Sequence, residues 1–185
     1  WGAVHAKAYA IRSTDGGKSW SMPIELDRPA KYTYPTGVHR GEMPGAVDFT
    51  EVTGAAIGNR VMVVVRPTYS QMMWQCWSYD SGATWEPAVR ATFPGYAQSM
   101  IRTTSGAIVD GHRNLNYAVN VSRDDGINWD AGPTIDYPAW AMGCMIEVEP
   151  NVVLTTYMNA DRGAPMLAQR IRITADRIEP LGPNE

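Results

Sequence analysis

The sequence predicts an all-β chain of repeated four-stranded antiparallel sheets, the arrangement of blades in a β-propeller. Three observations point there. The frame Ser-x-Asp-x-Gly-x-x-Trp occurs three times, from Ser13 to Trp20, from Ser78 to Trp85 and from Ser122 to Trp129. The copies begin about 65 and then about 44 positions apart, a period of blades and not of helical repeats. Between them lie short strand-sized runs bounded by Gly, Pro, Asn and Asp, and no segment of useful length carries a helical period.

Each position of the frame has a task in a tight hairpin. The carboxylates of Asp15, Asp80 and Asp124 can accept backbone N–H bonds across the turn, and Gly17, Gly82 and Gly126 supply a positive φ. Trp20, Trp85 and Trp129 fall on the outgoing strand, where a large ring is expected to be buried against neighbouring sheet.

Taken in order, residues 1–30 form half a blade, a hairpin of His5 to Arg12 and Trp20 to Leu26 around the first frame. Residues Asp27 to Pro44, rich in Pro, Gly and Tyr, read as a long connection of the kind that meets ligands. Residues 31–95 complete a blade with strands at Ala46–Ile57, Arg60–Arg66, Gln71–Tyr79 and Ala88–Thr92. Residues 96–137 repeat it at Ala97–Thr104, Ala107–His112, Tyr117–Ser122 and Trp129–Ile135. Residues 138–185 form the last blade, at Met142–Glu149, Val152–Tyr157, Met166–Ile173 and Arg177–Leu181. There Thr174-Ala175-Asp176-Arg177 turns the chain in place of the frame, as terminal repeats often do. The whole of 1–185 is therefore read as one partial propeller domain.

Composition bounds the function. With 185 residues, 44% hydrophobic and 19% charged, the chain suits one globular domain. Seven Trp and nine Tyr against two Phe fit a sheet protein whose aromatics also carry hydrogen bonds. A net charge of −3 gives no footprint for nucleic acid or an anionic membrane, and no apolar run suits a membrane helix. Cys76 and Cys144 stand in no metal spacing and read as buried free thiols, with a single disulfide left open. His5, His39 and His112 have no ligand spacing either, so neither metal nor cofactor is expected. The chain starts at Trp1 without Met or leader and reads as a piece of something longer, so its compartment is not visible.

Aligning the three later blades on their first inner turn places Asn59, Gly106 and Asn151 together. Seven residues on stand Arg66, Arg113 and Met158, the last preceded by Tyr157; eight residues back stand Glu51, Gln98 and Gly143. Inner-strand ends of a propeller converge on its central funnel, so a carboxylate, two guanidiniums and a phenol are expected to meet there.

The three frames resemble Asp-boxes, the mark of sialidase-like propellers, where the box is structural and remote from the chemistry. Thr50-Glu51-Val52 leading to Val61–Arg66 and a box resembles the Glu-to-Arg blade of exo-sialidases. The stretch from Ser99 to Arg113 resembles the blade after it, and Tyr137-Pro138-Ala139 with Val152–Tyr157 the one after that. The resemblance implies a glycosidase acting on a terminal acidic sugar. Arg66 and Arg113 would bind the sugar carboxylate in bidentate fashion, and Tyr157, activated by Glu51, would be the nucleophile. Gln98 would line the same place, with His112 as a supporting neighbour of Arg113. The family's acid/base Asp and its first arginine come from early blades, so this chain alone is expected not to hydrolyse sugar. The resemblance leans towards a secreted or periplasmic setting.

Plainer readings stand beside these. Arg66 and Arg113 suit solvated or salt-bridged strand ends, Glu51 a surface position, and Tyr157 a core ring with a satisfied hydroxyl. Trp74 and Trp77 face opposite sides of their strand, and Asp48, Asp110, Glu147 and Glu149 form no convincing acid/base pair. Asn120-Val121-Ser122 matches a glycosylation sequon, but its Ser belongs to a box and the match reads as coincidence. Three and a half blades against a family of six leave three readings: part of a larger protein, a ring closed by a second copy, or an incomplete piece. The rival functions are a non-catalytic propeller that binds glycan or protein, and a half-ring built for assembly.

Overall fold

A computed structural model describes residues 6–26, 49–67, 72–114, 116–137, 139–140, 143–159, 163 and 165–182. The long connection at 27–44, His5, His39, Asp48, Pro138 and Met142 lie outside the described residues. Every regular element among the described residues is a strand. Two compact units are present, one of 1–52 with 56–91 and one of 53–55 with 92–185.

In the first unit, β1 (Tyr9–Ala10) and β2 (Ile24–Glu25) pair antiparallel around the first box. Only two residues pair on each strand, so this hairpin is shorter than its alternating sequence predicts. The strands β3 (Phe49–Ile57), β4 (Arg60–Pro67), β5 (Met72–Ser78) and β6 (Val89–Pro94) follow as a meander in that spatial order, residues 53–55 of β3 and 92–94 of β6 being counted with the second unit. The box at Ser78 joins β5 to β6, the outermost hairpin of the sheet. Ala8, Leu26, Phe49, Val65, Trp74, Cys76 and Ala88 form the core, with Trp85 packed on it.

The second unit repeats the meander. The strands β7 (Tyr96–Arg102), β8 (Ile108–Asn114), β9 (Asn116–Ser122) and β10 (Asp130–Asp136) lie side by side, the third box joining β9 to β10. A further sheet has β11 (Ala139–Trp140) and β12 (Met145–Glu149) sharing one edge of β13 (Val152–Asn159), then β14 (Met166–Ile173) and β15 (Ile178–Pro180). Because side chains alternate across a strand, Val109, Val119 and Val121 share one face, and they meet Val153, Ile171 and Ile173 of the next sheet.

The boxes are built alike from their sequence. In each, the Ser hydroxyl donates to the Asp carboxylate at 2.8 to 2.9 Å and accepts the Gly N–H at 2.7 to 2.8 Å. The residue before the Trp closes the ring. Ser19, Thr84 and Asn128 each give the Asp both a backbone N–H and a side-chain donor. The last variable position of the frame is thus a hydrogen-bonding one, which the bare frame did not reveal. Gly17, Gly82 and Gly126 sit at φ near +85°, at +86°, +84° and +86°. The preceding Gly16, Ser81 and Asp125 are also left-handed, at +71°, +58° and +59°. The rings of Trp20 and Trp85 fold back over these glycines, 3.8 Å from where a Cβ would stand, so φ and not space excludes a side chain.

Two expectations are corrected. The box tryptophans precede their strands instead of lying on them, and Trp20 is 60% exposed because only a two-residue hairpin flanks it. Trp129 does find a partner, Phe93, at a ring separation of 4.8 Å. Both cysteines are free as expected, but only Cys76 is buried; Cys144 is exposed, since it precedes the edge strand β12. The last sheet's turn keeps half a box. Thr174 Oγ1 donates to Asp176 at 3.0 Å and accepts the Arg177 N–H at 3.1 Å, without the Gly and Trp.

Candidate functional site

In the first unit, Glu51 near the start of β3 and Arg66 near the end of β4 form an ion pair at 2.8 Å, both half-buried. The strands are tied beside them by Thr50 Oγ1, which donates to the Arg66 carbonyl at 3.0 Å. A guanidinium held this way keeps a fixed direction.

In the second unit, the matching positions lie on β7 and β8. Arg113 stands directly across from Tyr96, and the register then slips so that Ser99 faces Gly111. Ala97 takes φ +50° in this bulge, and Gln98 occupies it. Arg113 and His112 are neighbours on one strand, so their side chains point to opposite faces. His112 joins a buried polar group instead. Its Nε2 lies 2.8 Å from Asn120 Nδ2, and Phe93 packs on its ring. Burial pushes His112 down to about 4, against the opposing bond to Asn120. Asn120 is itself buried on β9, which accords with reading its sequon as coincidence.

Asp110 precedes His112 on the same face of β8, opposite Asn120. It is fully buried, neither carboxylate oxygen has a hydrogen-bond partner among the described residues, and burial raises its pKa well above the ordinary carboxylate value.

Tyr157 lies on β13, 7% exposed, with its ring stacked on Tyr117 at 5.0 Å and 19°. Tyr117 was not singled out from the sequence, yet it is the hub of this region. It is 1% exposed, stands directly across β9–β8 from Arg113, and is hydrogen-bonded through its hydroxyl to that of Thr155 on β13. Burial pushes its phenol up to about 12, opposed by the bond to Thr155. Space for it comes from Gly111, where a Cβ would stand 2.6 Å from the Tyr117 hydroxyl. Gly143, in the slot that holds Glu51 and Gln98 elsewhere, is also obligatory: a Cβ there would meet the Thr156 carbonyl at 1.8 Å. The only sequence sign of Tyr117 was its place in the apolar alternation Tyr117, Val119, Val121, which reads as core.

No group of three His, Cys, Asp or Glu among the described residues is placed to hold a metal ion. The box carboxylates lie on the outer hairpins, engaged with their own turns. Asp15 is drawn down to about 2 by the Ser19 hydroxyl and N–H, and Asp80 to about 2 by the Thr84 N–H and hydroxyl.

These features define a sialidase-like Asp-box β-propeller fold. The family model described as "BNR/Asp-box repeat" matches residues 11–22. Among solved structures, the chain is similar to a Hadza microbial sialidase, with 16% identity and a TM-score of 0.71 over 92% of this chain and 39% of that one. It is also similar to a variant of the NanB sialidase from Streptococcus pneumoniae, with 19% identity and a TM-score of 0.64 over 94% of this chain and 27% of that one. A protein of unknown function from Dyadobacter fermentans gives 21% identity and a TM-score of 0.62, over 89% and 48% of the two chains. The chain thus spans less than half the length of each of these structures. No curated protein matches it.

Proposed function

We propose that this chain contributes the acidic-sugar-binding wall of a sialidase-type glycoside hydrolase. Arg66 and Arg113 bind the carboxylate of a terminal sialic acid or a similar acidic sugar. Glu51 activates Tyr157 as the nucleophile, and Gln98 and His112 belong to the surroundings. A phenol suits this chemistry because an anionic carboxylate nucleophile would be repelled by the sugar's own carboxylate. The observation that carries the reading is the likeness in fold to two sialidases, and beside it Glu51 and Arg66 bring an acid and a guanidinium together near the ends of β3 and β4. Its partners are the sugar together with either further blades or a second copy of the chain.

One observation favours a second reading, a non-catalytic propeller that binds glycan or protein: Tyr157 is buried and stacked, where a nucleophile must reach its substrate. Binding and labelling separate the two. Titrating the chain with N-acetylneuraminic acid should give saturable binding that Arg66→Ala and Arg113→Ala each weaken about tenfold or more, with the fold intact. Unchanged binding in both variants ends the arginine assignment. If the arginine variants lose binding while Tyr157→Phe leaves covalent capture by a fluorinated sialosyl fluoride intact, Tyr157 is not the nucleophile.

A further inference from the structure

Tyr117 stands between two of the second unit's candidate residues. It is the cross-strand partner of Arg113, and its ring stacks on Tyr157. Residues directly opposite on antiparallel strands share a face, so the Tyr117 and Arg113 side chains leave their strands side by side. The ring cannot swing, because its hydroxyl is bonded to Thr155, two residues before Tyr157 on the same face of β13. Gly111 clears the space the phenol fills, and Ala139 completes a small cluster with Tyr117 and Tyr157.

We infer that Tyr117 is a positioning residue, holding Arg113 on β8 and Tyr157 on β13 in one fixed arrangement for the acidic sugar. This rests on the reading of Arg113 as a carboxylate ligand. Arg113 has many rotamers, and a guanidinium that must meet a planar carboxylate gains affinity when its direction is set in advance. The stacked pair of rings supplies a rigid wall, and the Thr155 bond fixes the rotation of that wall.

The test uses the whole chain and free N-acetylneuraminic acid, read by calorimetry with the Arg113 Nε–H resonance followed by NMR. Tyr117→Leu should weaken binding about tenfold and broaden that resonance, while Thr155→Val, which frees the ring but keeps it, should cost about threefold. Val121→Ala serves as control, since it loosens the same inter-sheet core without touching the cluster. It should lower the melting temperature comparably and leave affinity unchanged. Normal binding by Tyr117→Leu, where Arg113→Ala has lost it, overturns the positioning role and leaves the arginine assignment standing. Equal losses in Val121→Ala and Tyr117→Leu also overturn it, as general loosening. Normal binding by Arg113→Ala removes the arginine assignment and this inference together.

Discussion

A carboxyl group sealed from water without a hydrogen-bond partner is driven towards its neutral form, and Asp110 has none among the described residues. The folded chain holds the proton, whereas the unfolded chain releases it above its ordinary pKa of 3.8. The cost to folding therefore grows as pH rises beyond that value and is absent below it. Asp110→Asn removes the titration, so it should raise the melting temperature, and by more at about pH 8 than at about pH 5. An equal gain at both values would mean that Asp110 is ionised in the fold. His112 runs the other way, since its lowered pKa makes stability fall as pH drops from 6.5 towards about 4. Neither group was legible as a buried titrating residue: periodicity tells which residues share a face, but not whether the facing sheet supplies a partner. That Glu51 and Arg66 lie near one another was legible, because their spacing around a two-residue turn fixes their register; that they pair with each other was not.

Among elements, the box hairpin was the most readable, because every bond that shapes it is local. Ser, Asp and Gly satisfy one another within eight residues, and no distant contact is needed. The depressed carboxylates of Asp15 and Asp80 make that local order acid-sensitive. Their contribution is complete above about pH 4 and is lost as pH falls towards 2, so the box tryptophans should change fluorescence in that window. Asp15→Asn with Asp80→Asn should remove the transition, and its persistence would place the acid sensitivity elsewhere. Less readable was the way one sheet grips the next. Glu147 accepts the N–H groups of Thr104 and Asn151 at 2.9 and 2.7 Å, although the sequence offers it only as one more strand carboxylate. Glu147→Ala should speed hydrogen exchange in β12 and β13 at least about tenfold, and leave exchange at Val119 and Val121 nearly unchanged. Uniform acceleration across the unit would deny Glu147 a local role.

For the molecule as a whole, repetition carried the reading. Three copies of one frame disclosed the meander, the order of strands within each sheet and the place of every box. The Cys144 surface position, the bare Trp20 and the Tyr117 cluster stayed hidden because each depends on contacts between distant segments. The joints of the second unit make large use of the main chain. Arg123 reaches the carbonyls of Thr174 and Arg177, and Glu147 reaches amides, so both address main chain. A peptide group is the same whatever side chain it bears. The residues that offer their peptide groups to these clasps can therefore change side chain without undoing the joint, whereas Arg123 and Glu147 cannot.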